Sequence, residues 1–308
     1  MRLAAVDLGT NMIRLLVADT AESDWRAVDQ AQRVTRLGDG QGPGGPLLAE
    51  PMARTLDTVV EFVRRAEASG AARVRIAATS AVREAANRAA FVARLEAATG
   101  RAVEVLTGED EARLTLLGVR SGLPGLAEPF VVLDIGGGST ELALARAGRL
   151  ECAVSLRLGV VAFADRHRPD GRLDPAALGA LREEVTARLQ EQVPEAIAAA
   201  GAGCLVGTAG TVTTLAALDL GLAAYDADRV QGHMLTRAAI EDLLARLARL
   251  THSERAVLPA LEPGRADLIV PGTVICLAAM ARVGFDALTV SDRGLREGIL
   301  CEILGAVR

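Results

Sequence analysis

Chemistry in this chain is concentrated in glycine-rich turns, one arginine and two small groups of acids. The strongest signal is Asp134-Ile-Gly-Gly-Gly-Ser-Thr-Glu141. Gly136, Gly137 and Gly138 present successive backbone N–H groups with no Cβ in the way, which is how a loop cradles phosphate oxygens. In the apolar strand before the bend, Leu133 and Ile135 point to one face and Asp134 to the other, toward the loop. Glu141 returns shortly after it. A carboxylate beside a phosphate repels it unless a cation lies between them. The pattern therefore reads as a site for Mg2+ held through Asp134, with Glu141 and waters as candidate further ligands. The plain alternative is a solvated hairpin with an incidental Asp.

Asp7-Leu-Gly-Thr-Asn11 is a second such turn, although glycine at a hairpin needs no functional explanation. Gly207-Thr-Ala-Gly-Thr211 is a third, set after an apolar strand and before a helix. That junction offers N–H groups and the positive dipole end to an anion, or else makes an ordinary cap. Ala78-Thr-Ser-Ala-Val-Arg83 follows a strand, so Arg83 either projects from a strand end or sits in a surface ion pair. Thr107-Gly-Glu-Asp-Glu-Ala-Arg113 puts three acids at a helix start, where the dipole favours them without any catalytic role.

Positioning these groups falls to alternating strands and helices. Apolar runs over 3–8 and 12–18 flank Gly9-Thr10-Asn11 as antiparallel strands. Helical periodicity covers 51–69 through Leu56, Val59, Val60 and Val63, and 74–78 reads as a strand. A helix over 85–99 stops at Gly100, a strand covers 103–106 and a helix covers 109–119. After a linker at Gly122-Leu-Pro-Gly125 the opening phrase recurs, with strands over 130–135 and 140–145. Val6-Asp7-Leu8-Gly9 and Leu133-Asp134-Ile135-Gly136 superimpose as apolar–Asp–apolar–Gly, which argues for two related domains. Helices follow over 175–200, from Thr211, and over 237–250, 270–283 and 295–307, with strands over 204–206 and 288–290. The alternation predicts α/β architecture with a mixed sheet in each domain.

Composition narrows the function classes. The 308 residues are 50% apolar and 24% charged with a formal charge of −5, which fits about two folded domains and excludes disorder. One Trp, one Tyr and five Phe leave aliphatic cores and argue against base-stacking nucleic-acid modules. No Lys is present, so all 34 basic side chains besides His are Arg, whose fork suits phosphate. A general Arg bias in composition would look the same. The scattered Cys152, Cys204, Cys276 and Cys301 read as free thiols in a reducing compartment. Asp7 interrupts any signal-peptide core, and the apolar stretch 268–281 is shorter than the ~18 residues of a membrane span. The expectation is a soluble, cytoplasmic protein with neither membrane nor nucleic-acid polymer as partner.

Taken together and in this order, the turns, Arg83, Gly108-Glu-Asp-Glu-Ala-Arg113, Ser155-Leu-Arg-Leu-Gly159, Arg265-Ala-Asp267 and Ser291-Asp-Arg-Gly-Leu-Arg-Glu297 resemble the exopolyphosphatase/guanosine pentaphosphate phosphohydrolase (Ppx/GppA) family. The resemblance covers nearly the whole chain. It implies two ribonuclease-H-like domains of the actin-like ATPase superfamily, at 1–124 and 125–308, with a cleft between them. The final helix, 295–308, is a candidate to pack back on the first. It further implies Mg2+-dependent transfer to water of the terminal phosphoryl group of polyphosphate or guanosine pentaphosphate. By position, Glu111 matches the base that orients the water and Arg83 a ligand of the terminal phosphate. Asp134, Glu141 and Asp7 match the metal region. Gly9, Thr10, Asn11, Arg14, Gly136, Gly137, Gly138, Ser139, Gly207, Thr208, Gly210 and Thr211 match phosphate-binding positions. A homodimer is a candidate assembly.

Longer members carry an additional helical region resembling HD-type phosphohydrolases. None of His167, His233 and His252 is followed by Asp, so no His-Asp metal site is expected. Without the surface of that extra region to grip a long polymer, short substrates are expected to be handled as well as long ones. Arg157, Arg166 and Arg168 are candidates to line the polyanion path. Two other classes remain open to the sequence: a small-molecule kinase of the same superfamily, and a non-enzymatic nucleotide- or polyphosphate-binding protein.

Overall fold

Two hairpins, each with a glycine turn, begin two separate sheets. The computed structural model describes residues 1–21, 24–166, 174–201 and 203–306. The chain divides into two compact units, Met1–Ser121 joined by Gly294–Arg308, and Gly122–Arg293.

In the first unit β1 (Arg2–Leu8), β2 (Met12–Ala21) and β3 (Asp24–Val34) run antiparallel. Helix α1 (Ala49–Ala68) then leads to β4 (Arg73–Ala78), which lies parallel to β1. Helices α2 (Ser80–Glu84) and α3 (Arg88–Thr99) lead to β5 (Val103–Val105), parallel to β4, and to α4 (Gly108–Gly122). The sheet order is β3-β2-β1-β4-β5, a ribonuclease-H-like order. Strand alternation gives the sheet two faces. Ala4, Val6 and Leu8 pack with Val59, Phe62 and Phe91 of α1 and α3.

The second unit repeats the plan. Strands β6 (Phe130–Ile135), β7 (Thr140–Arg146) and β8 (Arg149–Leu156) are antiparallel and precede α5 (Val160–Arg166), α6 (Pro175–Gln192) and α7 (Glu195–Ala198). Strand β9 (Cys204–Thr208) is parallel to β6 and runs into α8 (Ala209–Asp219). After α9 (Ala227–Val230) come β10 (Met234–Thr236), α10 (Arg237–Arg249), α11 (His252–Ala256), α12 (Ile269–Val283) and β11 (Ala287–Val290). The order β10-β11-β9-β6-β7-β8 is that of the first sheet plus an added edge strand. Val131, Leu133 and Ile135 join a large aliphatic core with Leu181, Leu215 and Ile275.

The last helix, α13 (Leu295–Ala306), belongs to the first unit, where Ile299 packs with Leu3, Ala5 and Leu114 on the face away from α1. A Cβ at Gly298 would stand 1.7 Å from the Leu114 carbonyl oxygen, and one at Gly118 would stand 1.8 Å from that of Gly294. Helices α4 and α13 therefore touch backbone to backbone.

Three expectations change. The helix expected over 85–99 begins only at Arg88, and a separate short helix, Ser80–Glu84, precedes it; between them the Asn87 side chain holds both the N–H and the C=O of Leu47 (2.9 and 3.0 Å) and turns the chain. The helix expected over 175–200 breaks at Pro194, whose ring lacks an N–H and keeps Val193 extended at φ −80°, ψ 116°. Strands β3 and β8 escape an apolar-run reading because they are outer strands carrying charged residues.

Candidate active site

The carboxyl ends of β1, β4 and β5 lie side by side in the first sheet, since Leu8 pairs with Ala78 and Ala78 with Val105. The loops leaving them, at Gly9, Thr79 and Leu106, therefore gather along one edge, where open α/β sheets place ligands. The Gly9 N–H closes its turn on the Met12 carbonyl at 3.1 Å. Thr10 Oγ1 accepts the Ala81 N–H (3.2 Å) and ties this turn to the α2 loop. The Asn11 carbonyl accepts the N–H groups of Thr35 and Arg36. Its side-chain Oδ1 is buried with no hydrogen-bond partner among the described residues. As placed it is an acceptor suited to a water or a cation, and the flipped amide would instead offer donors to an anion.

Arg83 and Glu111 come together although 28 residues separate them. Arg83 Nη1 donates to Glu111 Oε2 at 2.7 Å and to the Leu106 carbonyl at 3.0 Å. Glu111 is only 7% exposed. Its neighbour Asp110 serves the helix cap: the capping Thr107 Oγ1 accepts the Asp110 N–H and donates to the Asp110 carboxylate (3.1 and 2.6 Å). The acids at this helix start thus divide between capping and the Arg83 contact. Asp7 stands opposite Arg14 in the β1–β2 ladder.

The second unit holds a different arrangement on the same hairpin. Asp134 pairs across the ladder with Glu141, and both are buried, at 8% and 2% exposure. Like charges directly opposite on a sheet repel. Ser155 Oγ donates to Glu141 Oε1 at 2.6 Å, and Thr208 pairs with Asp134 on the other side. The row across the sheet thus runs Thr208, Asp134, Glu141, Ser155. Two buried carboxylates facing each other suit a hard divalent cation, which takes one or two carboxylates and keeps waters and substrate oxygens as its other ligands. Asp7, in the first unit, faces an arginine instead of an acid. Among the described residues, no group of three His, Cys, Asp or Glu side chains has metal-holding geometry.

Gly136 N–H closes the triple-glycine bend on the Ser139 carbonyl at 2.9 Å. The carbonyls of Gly136 and Gly137 accept the N–H groups of Val160 and Val161 (3.3 and 3.0 Å), which fixes the bend from behind. The N–H groups of Gly137 and Gly138 are not spent in closing the turn. Ser139 is buried beside them. Gly159 backs the bend so closely that a Cβ there would lie 2.2 Å from the Gly138 carbonyl carbon.

The Gly207 carbonyl accepts the Ser291 N–H (2.8 Å), and Thr208 Oγ1 donates to the Arg293 carbonyl (3.2 Å). Ala209 takes φ +65°, a left-handed conformation that costs a non-glycine residue about 1–2 kcal/mol. Arg265 Nη1 donates to the Gly210 carbonyl at 2.9 Å, where a Cβ would strike the guanidinium. Thr211 packs against Gly272 of α12. The roles of Ser155 and Arg265 are absent from a residue-by-residue reading, although both lie in the segments that carry the resemblance.

His233 Nε2 is paired with Asp219 Oδ2 at 2.7 Å, an ordinary polar contact. Arg157 is exposed on the loop after β8. His167, Arg168 and the side chain of Arg166 lie outside the described residues. No helix among the described residues is long and apolar enough to cross a membrane.

Known proteins bear on this geometry. A family model described as the Ppx/GppA phosphatase family matches residues 16–306. Exopolyphosphatase 2 of Mycobacterium tuberculosis is 35% identical over 322 aligned residues, covering 99% of both chains. Exopolyphosphatase 1 of Mycobacterium bovis is 32% identical and covers 97% of this chain and 87% of its own. The crystal structure of the Aquifex aeolicus Ppx/GppA family member, 30% identical, superimposes with a TM-score of 0.82 and covers 100% of this chain and 99% of that one.

Proposed function

The chain belongs to the Ppx/GppA phosphatase family, and from that premise we propose that it is an exopolyphosphatase, releasing the terminal phosphate of inorganic polyphosphate by attack of water. Guanosine pentaphosphate, with a terminal phosphate of the same chemistry, is the second substrate in this reading. The observation that carries it is the buried Glu111 carboxylate held by Arg83 at 2.7 Å at the edge where the loops of three parallel strands gather.

Phosphoryl transfer asks for positioning and charge neutralisation more than for a strong nucleophile. The Glu111 carboxylate accepts a hydrogen bond from water and aims the lone pair of that water at phosphorus. The water oxygen forms the new P–O bond as one of its protons passes to the Glu111 carboxylate and on to solvent; the bridging P–O bond breaks, and the shortened chain leaves with the electron pair. The remaining N–H groups of Arg83 compensate the equatorial oxygens. Within the second unit, the Gly137 and Gly138 amides and those at the start of α8 are donors of the kind that phosphate oxygens take. Asp134 and Glu141 would hold Mg2+, whose chemistry here is neutralisation of phosphate oxygens. The scattered free thiols accord with a cytoplasmic setting.

The test is phosphate release from polyphosphate and guanosine pentaphosphate, with Mg2+ and without any added acceptor. Glu111→Gln is expected to lower turnover at least roughly 10²-fold while substrate binding persists. Turnover that depends on an added hydroxyl or carboxylate acceptor would instead mark a kinase.

A further inference from the structure

We propose that Glu302, on the C-terminal helix, is a positioning residue for the Arg83–Glu111 pair. Its two carboxylate oxygens take one guanidinium each. Arg113 Nη2 lies 2.6 Å from Oε1, and Arg75 Nη1 bonds Oε2. Arg113 is two residues beyond Glu111 on α4. Arg75 is on β4, the strand that leads through Thr79 into the α2 loop and Arg83. Arg75 is in turn fixed by Glu104 of β5 at 2.7 Å. One carboxylate therefore ties the strand that delivers Arg83 to the helix that delivers Glu111.

The backbone next to this network has no slack. Gly298, one turn before Glu302, sits against the Leu114 carbonyl so closely that no Cβ fits, and Leu114 follows Arg113 directly. A close-packed crossing transmits a displacement instead of absorbing it. Partial burial pushes the Glu302 carboxyl upward, but Arg75 and Arg113 outweigh it and hold the group below its ordinary range. Two cations on one carboxylate form a network, unlike the isolated surface pairs that contribute little. Misplacement of a water-aiming group by about 1 Å costs on the order of 10²-fold in rate.

The inference rests on the role given to Glu111 above, and the experiment separates the two. In the full chain, Glu302→Gln is expected to lower kcat for polyphosphate at least roughly fivefold with KM within about twofold, and Glu302→Asp to recover part of the loss. In a Glu111→Gln background the Glu302→Gln penalty should vanish, because residues acting through one another are non-additive. An unchanged kcat in Glu302→Gln, or a penalty that persists in the Glu111→Gln background, overturns the positioning role. A fully active Glu111→Gln enzyme overturns the reading beneath it. A readout free of activity stands beside these: amide hydrogen exchange over 79–84 and 107–113 should quicken at least threefold in Glu302→Gln, with 49–68 unchanged. Equal exchange in both proteins also overturns the positioning role. Should Glu302→Gln fail to fold, Arg113→Gln, which removes the α4 arm together with a longer 3.8 Å pair to Asp110, must show the same kcat loss and the same exchange pattern.

Discussion

Asp7 and Asp134 hold the same place in two like hairpins, yet the residue across the ladder is Arg14 in one and Glu141 in the other. The first ladder thus sets a cation across from Asp7, whereas the second sets two buried acids across from each other. Glu141→Gln removes one of two like charges set opposite each other and one of the two carboxylates proposed to hold the cation. The Mg2+ concentration for half-maximal turnover is expected to rise at least roughly tenfold. The melting temperature in EDTA should stay level or rise, and a clear fall in EDTA would show that the carboxylate serves folding alone. The side Asp134 takes was legible in the sequence, because alternation about Leu133 and Ile135 assigns it. The Arg83–Glu111 contact was not, because it depends on which strands become neighbours, and nothing local to either residue encodes that.

At the scale of elements, glycines decide how closely helices approach. Gly298→Ala would force a methyl group to within 1.7 Å of a carbonyl oxygen, so α13 must lift from α4. A loss of about 1–3 kcal/mol in urea unfolding is expected, accompanied by a fall in kcat. Gly179 offers the opposite case. It lies inside α6 with nothing within 4 Å of a Cβ, so Gly179→Ala is expected to stabilise by up to about 1 kcal/mol in the same assay. Helix existence was readable from apolar periodicity, as α1 and α10 illustrate. Helix breaks are less legible: Pro194 marks one locally, but the break at Asn87 is made by a contact with Leu47, 40 residues away.

For the whole molecule, buried carboxylates set the response to acid. Burial pushes Glu297 upward, but Arg296 and the Gly294 N–H outweigh it and hold the group below its ordinary range. Glu302 is lowered likewise by its two arginines. A carboxyl lowered by folding stabilises fully above its unfolded value and loses that contribution as pH falls through the folded one. The thermal midpoint should therefore decline below about pH 4–5, and Glu297→Gln should flatten that decline. An equally steep acid limb in the variant would remove Glu297 from the account. The doubling of the architecture was legible in the repeated apolar–Asp–apolar–Gly phrase, since both sheets open with the same three antiparallel strands. The added strand β10 was not, because three residues are too short to show a period.

The membership of α13 in the first unit has a consequence for synthesis. Roughly 170 residues separate Ser121 from Gly294 along the chain. At about 5–20 residues per second, a ribosome takes roughly 10–35 s to cross that interval. Throughout it, the sheet face bearing Leu3, Ala5 and Leu16 waits without its last covering helix. The half that emerges first is completed last, and a nascent chain stalled before residue 294 would display this greasy surface to any chaperone at the exit tunnel.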